Sequence, residues 1–188
     1  MNKHWFLIFL IILFSASAFA QQTTKHTVSK GKNLLNIGVG VGNNFFPTEF
    51  RTYSPLNPVI SYERSISEVI SLGVQSSSAV SSSDYLIGGD AIATISTGAL
   101  YIGGRGSYHF NEALTLNSDK YDVYVGASVG YVLLRQNKDA KTYDTLKNTV
   151  GYGAFAGAKY YFAPSFGVYA EAGYQTLSSL TFGFTFKF

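Results

Sequence analysis

The chain has no cysteine, four prolines and a single tryptophan, and only 13% of its 188 residues are charged. Without cysteine there is no disulfide framework, no thiolate zinc site and no cysteine nucleophile. A formal net charge of +3 is too mild for a nucleic-acid partner. After residue 20 no apolar run is long enough for a membrane-spanning helix, and no stretch shows useful helical periodicity. What is abundant is glycine (19), tyrosine (14) and phenylalanine (15).

The first twenty residues differ in kind from the rest. A basic start, Asn2-Lys3-His4, leads into the apolar run Trp5 to Phe14 and then the small-residue stretch Ser15 to Ala20. This is the layout of a secretory signal peptide, with an A-x-A cleavage site at Ala18-Phe19-Ala20. Its apolar run is about half the roughly 20 residues a spanning helix requires. Cleavage between Ala20 and Gln21 leaves 13 Lys+Arg against 11 Asp+Glu, a net charge of +2. Residues 21–33, rich in Gln, Thr, Ser and Lys, form a flexible periplasmic lead-in, and 34–188 a single domain.

That domain reads as strands of period 2 separated by turn residues. The spacing predicts eight strands, over 34–42, 58–66, 69–76, 96–110, 121–134, 149–162, 166–175 and 179–188. Connections after strands 2, 4, 6 and 7 are the shorter set. Those after strands 1, 3 and 5 are long: 43–57, 77–95 and 135–148. Alternating connections and an even strand count describe an all-β, eight-stranded antiparallel up-and-down transmembrane β-barrel with both termini in the periplasm.

The two faces of each strand differ. In 149–162 one face carries Val150, Tyr152, Ala154, Ala156, Ala158, Tyr160 and Phe162. The other carries Gly151, Gly153, Phe155, Gly157, Lys159 and Tyr161. Val125 and Val168 lie on apolar faces, and Glu171 on a polar one. A continuous apolar face beside a face of glycine, hydroxyls and isolated charge suits lipid outside and a polar lumen inside. Outward aromatics gather at strand ends. Tyr108, Phe110, Tyr160, Phe162, Phe166, Phe186 and Phe188 mark one boundary, and Tyr131, Tyr152 and Tyr174 the other, as interfacial belts do. Alternation fails above Gly103-Gly104, where a bulge would flip the upper residues.

The last strand alternates large apolar residues with polar ones or glycine, ending Phe184-Thr185-Phe186-Lys187-Phe188. With the Ala18-Phe19-Ala20 site and the strand end Arg105-Gly106-Ser107-Tyr108-His109-Phe110, this resembles the small outer-membrane barrel family exemplified by OmpX and the barrel of OmpA, in the style common among Bacteroidota. The resemblance implies outer-membrane lipid as surroundings. It also implies barrel-assembly machinery as a partner, reading Phe184, Phe186 and Phe188 as its signal.

Strand parity turns Glu63, Arg105, Lys159, Glu171 and Lys187 inward. An eight-stranded barrel is just wide enough for side chains to fill it, and buried charge requires partners. An interior ion-pair network of Glu63, Arg105, Lys159 and Glu171 follows, with Glu171 opposite Gly157 on one side and near Gly183 on the other. The same charges could line an ion pathway. Gly38-x-Gly40-x-Gly42 lies within a strand and fails the context of a nucleotide loop. His109, with Ser107 on the same face, raises a lipid-modifying hydrolase or acyltransferase. No metal or cofactor motif is present. The functional expectation is a non-enzymatic envelope barrel with a structural or surface-interaction role, binding any ligand through loops 43–57, 77–95 and 135–148. The alternatives are a narrow pore or conduit, as in OmpW-like barrels, and the lipid-modifying enzyme. Mass spectrometry of the exported protein should find Gln21 as its first residue; an intact Met1 terminus in the envelope fraction would contradict the signal assignment.

Overall fold

A computed structural model describes residues 28–46, 52–53, 56–87, 91–111, 113–114, 118–136 and 147–188. The expected signal, its cleavage at Ala20 and Gln21, and the lead-in as far as residue 27 lie outside these residues. Eight strands form the wall: β1 (Asn33–Val41), β2 (Asn57–Ser65), β3 (Ile70–Ile87), β4 (Ala91–His109), β5 (Tyr121–Gln136), β6 (Thr149–Ala163), β7 (Phe166–Gln175) and β8 (Ser178–Lys187). Each pairs antiparallel with its sequence neighbour, and β1 pairs with β8, so the sheet closes into an up-and-down barrel. A two-residue strand, Thr52–Tyr53, adds to β3 at Ser81–Ser82. Closure leaves no barrel edge unpaired, which is the condition for a sheet to cross hydrocarbon.

The pleat runs as the alternation predicts. In β2, buried and exposed residues alternate without a break from Asn57 to Ser65. Val125, Ala156, Val168 and Phe184 face outward, while Lys159 and Glu171 are buried inside. Val129, Val150 and Tyr152 are each more than 60% exposed. On the outer face the aromatics pair near strand ends. Tyr108 meets Phe110 at 4.9 Å and Phe162 meets Phe166 at 4.8 Å at one end, and Tyr152 stacks on Tyr174 at 5.5 Å toward the other.

Where β1 meets β8, Gly38 lies opposite Gly183. A Cβ on Gly183 would approach the Ile37 carbonyl to 2.3 Å, so only glycine permits the two strands to close here. Gly173, with φ of +150°, sits where the β7–β8 register shifts between Ala172 and Gln175, and the positive φ is one that L side chains rarely adopt.

Three expectations are corrected, and one question of parity is answered. Residues 77–95 are not an open loop. β3 continues to Ile87 and β4 begins at Ala91, paired throughout from Ile70↔Tyr108 to Ile87↔Ala91. β2 leaves β3 beyond Ser77, and β5 leaves β4 beyond Thr97, so the hairpin projects past its neighbours as a ribbon. Ser77, Ala79 and Ser81 still turn inward at the barrel mouth, but they alternate mostly with other serines, so burial alternates where composition does not. The parity above Gly103-Gly104, left open by the sequence, is that of the lower part, with no bulge between. Both β4 ladders pass through it in register, and Thr97, Ala99 and Tyr101 keep the inward parity of Arg105. Glu171 pairs across β8 with Thr181 rather than near Gly183, because a turn of only Thr176–Leu177 and the Gly173 irregularity together move the register by two. The lead-in is seated against the barrel from Val28, which is fully buried, and Gly31 N donates to Ser65 O at 2.8 Å.

Ala156 lies midway along the outward face between Tyr152 and Tyr160. Ala156→Arg should cost about 2–4 kcal/mol of folding free energy in lipid vesicles, as charge at mid-bilayer does. Ser165→Arg, in an exposed turn, should change it by less than about 0.5 kcal/mol. Urea titration in vesicles checks both, and equal effects would place Ala156 outside hydrocarbon.

Candidate functional site: the filled lumen

Inward parity gathers the chain's isolated charges. Arg105, four residues before the end of β4, is the hub. Its Nε lies 3.0 Å from Glu63 Oε1 and its Nη2 2.7 Å from Glu171 Oε1, with all three side chains buried. Its Nη1 donates to Gln75 Oε1 at 2.9 Å, so each guanidinium nitrogen faces an acceptor. The guanidinium also lies 4.4 Å over the Phe155 ring.

The carboxylates have partners of their own. Glu171 Oε1 accepts from Tyr124 OH at 2.8 Å, and its Oε2 accepts from Gln175 Nε2 at 3.3 Å. Gly157 lies opposite Glu171 and leaves space that the Tyr124 ring fills: a Cβ there would come within 2.5 Å of it. Glu63 Oε2 accepts from Ser71 Oγ at 2.6 Å. Buried charge is tolerated in such a setting because every ion is met by an opposite ion or a donor.

Lys159 does not join Arg105 and the two glutamates directly. Its ion-pair partner is Asp122, at 3.8 Å from Nζ to Oδ2, and its ammonium lies 4.7 Å over the Tyr124 ring. Asp122 was missing from the expected network although it shares the inward, even-numbered parity of Tyr124 and Ser128. Its Oδ1 lies 2.7 Å from His109 Nδ1 and accepts from Asn111 Nδ2 at 3.2 Å. His109 Nε2 contacts Ser71 Oγ at 3.0 Å, not the expected Ser107. Ser71 therefore links the Asp122–His109 pair to Glu63 and the hub. Lys187, the fifth inward charge, lies 4.3 Å over the Tyr161 ring.

Toward the ribbon the lumen turns apolar, which strand parity alone did not reveal. Phe46, from the segment after β1, packs into a buried cluster with Ala79, Ala99, Tyr101, Val132 and Leu177. Asn43 Oδ1 accepts from the backbone N–H of Phe45 and Phe46, and Asn44 Nδ2 donates to Ser178 O at 2.7 Å. These bonds hold the Phe46 ring in the mouth. The expected binding loops 43–57 and 135–148 lie partly outside the described residues.

No protein-family model matches this chain, and comparison with curated proteins gives no match. Solved structures do resemble it. The outer membrane protein OprG of Pseudomonas aeruginosa superposes with a TM-score of 0.61 at 11% identity, covering 87% of this chain and 99% of OprG. The E. coli outer membrane protein W superposes with a TM-score of 0.50 at 14% identity, covering 85% of this chain and 99% of that one. At these identities the likeness is one of fold: the chain has the architecture of small outer-membrane β-barrels.

Arg105→Met should destabilise the barrel by about 3–5 kcal/mol, since it leaves two buried carboxylates without their cation. Adding Glu63→Gln and Glu171→Gln to it should recover most of that loss. Urea unfolding of the single and triple variants in vesicles gives the comparison, and a triple variant no more stable than the single one would show that Arg105 is not the hub.

Proposed function

We propose that this chain is a non-enzymatic outer-membrane barrel with a sealed lumen, working at the cell surface through its β3–β4 ribbon. The observation that carries this reading is the hairpin's length: its pairing continues ten residues beyond Ser77, where β2 leaves it, to Ile87. Beyond Ser82, where Thr52–Tyr53 no longer pairs with it, the two-stranded ribbon presents backbone donors and acceptors along its edges, and such edges bind extended peptide segments.

Several features support the location. The outer face is apolar, aromatics gather near strand ends, and the similar folds OprG and protein W are outer membrane proteins. The start of β1 and the end of β8 meet at the end opposite the ribbon, where Asn33 N donates to Phe188 O at 2.8 Å. With that end in the periplasm the ribbon faces outward. Phe184 and Phe188, both more than half exposed, remain with Phe186 the assigned assembly signal. The ribbon and segments 43–57 and 135–148 are the assigned surface for a ligand.

A second reading, a narrow conduit for small hydrophobic molecules, draws on the apolar cluster around Phe46 at the ribbon end. The ion network beyond it favours the sealed lumen. Planar-bilayer recording of the purified barrel separates the two, and no stable single-channel current is expected. Protease applied to whole cells should cut within residues 77–97 and abolish adhesion or ligand capture while leaving the barrel in the membrane. Stable conductance, or a ribbon inaccessible to protease on intact cells, would overturn the proposal.

A further inference from the structure

At the terminal end of the lumen, four side chains stand in line: Asp122 of β5, His109 of β4, Ser71 of β3 and Glu63 of β2. The contacts are 2.7 Å from Asp122 Oδ1 to His109 Nδ1, 3.0 Å from His109 Nε2 to Ser71 Oγ, and 2.6 Å from Ser71 Oγ to Glu63 Oε2. All four side chains are buried. The first three repeat the order of a hydrolase triad, yet the direction of the hydrogen bonds argues for a different role.

Ser71 has a single hydroxyl proton, and Glu63 takes it. Glu63 is held ionised by the Arg105 guanidinium at its other oxygen. The Ser71 oxygen can therefore only accept from His109 Nε2, which must carry a hydrogen. His109 Nδ1 faces a carboxylate oxygen and must carry one as well. A ring that donates from both nitrogens is an imidazolium.

Asp122 gives such a ring its counter-ion, at 2.7 Å in a fully buried setting. The groups around it are Glu63 from β2, Arg105 from β4, Asp122 and Tyr124 from β5, Lys159 and Tyr161 from β6, with Glu171 of β7 and Lys187 of β8 beyond.

We infer that His109 is a structural cation: the folded barrel holds one bound proton at the terminal end of its lumen, and that proton ties β2, β3, β4 and β5 together. Ser71 is then a relay of the lock and not a nucleophile. The inference stands apart from the proposed surface role and survives if that role fails.

The test uses the full mature barrel, folded in detergent micelles and labelled with nitrogen-15 histidine. His26→Gln removes the other histidine that follows the leader. Long-range proton–nitrogen spectra near neutral pH should show both His109 nitrogens protonated. A ring with one bare nitrogen overturns the proposal. Glu63→Met, which removes one negative charge and the acceptor of the Ser71 proton, should convert His109 to a neutral ring whose bare Nε2 accepts from Ser71. A ring that keeps both protons in that variant overturns the proposed link between the direction of the Ser71 hydrogen bond and the charge on His109. If the variant does not fold, the unaltered spectrum still decides. A fluorophosphonate probe should leave Ser71 unlabelled, and labelling would overturn the assignment, because it requires a bare Nε2.

Discussion

The β1–β8 ladder is the contact on which the rest depends. Every other strand pair of the eight-stranded wall joins sequence neighbours, so a hairpin can form them locally. β1 and β8 lie at opposite ends of the domain and must find each other across its whole length, Leu34 against Lys187 and Val41 against Leu180. Until they do, the sheet has two open edges, which hydrocarbon does not tolerate. The glycine pair at Gly38 and Gly183 belongs to this seam. It spends side-chain packing on close approach, at the one place where a failed approach would leave the sheet open.

Closure also creates the inside. A flat sheet would leave Glu63, Arg105 and Glu171, from β2, β4 and β7, on a common face with no reason to meet. Rolled into eight strands, that face becomes a column narrow enough for one guanidinium to reach both carboxylates. The glycines opposite and beside the charges then act as space for Tyr124 and Phe155 rings. The interior is thus electrostatic along one stretch and apolar along the next, with Phe46 at the far end.

Much of the fold was legible because lipid imposes a simple rule on each strand: apolar outward, anything small or polar inward. Where the rule applies, as in β6 and β7, alternation located the strands and their faces. It failed where the rule lapses. The serine-rich run from Ser76 to Ser83 has little alternation to read, because serine stands on both faces: Ser77 and Ser81 are buried while Ser76, Ser78 and Ser82 are partly exposed. The β7–β8 register was misjudged because a positive-φ glycine shifts pairing without altering composition. Within the lumen, parity identified Glu63, Arg105 and Glu171 as inward and identified Lys159 too, but parity says nothing about height. Height decides that Lys159 meets Asp122 and that His109 meets Ser71 across the β3–β4 ladder instead of Ser107 on its own strand.

The ribbon and the ion column share their backbone. β3 carries Ser71 and Gln75 at one end and the projecting hairpin at the other, and β4 does the same with His109 and Arg105. A load pulling on the hairpin tip along its axis acts parallel to the strands, while the hydrogen bonds to β2 and β5 run across them. Such a load shears the whole ladder at once instead of peeling it pair by pair. Anything gripping the hairpin from outside is therefore moored by the full height of the wall.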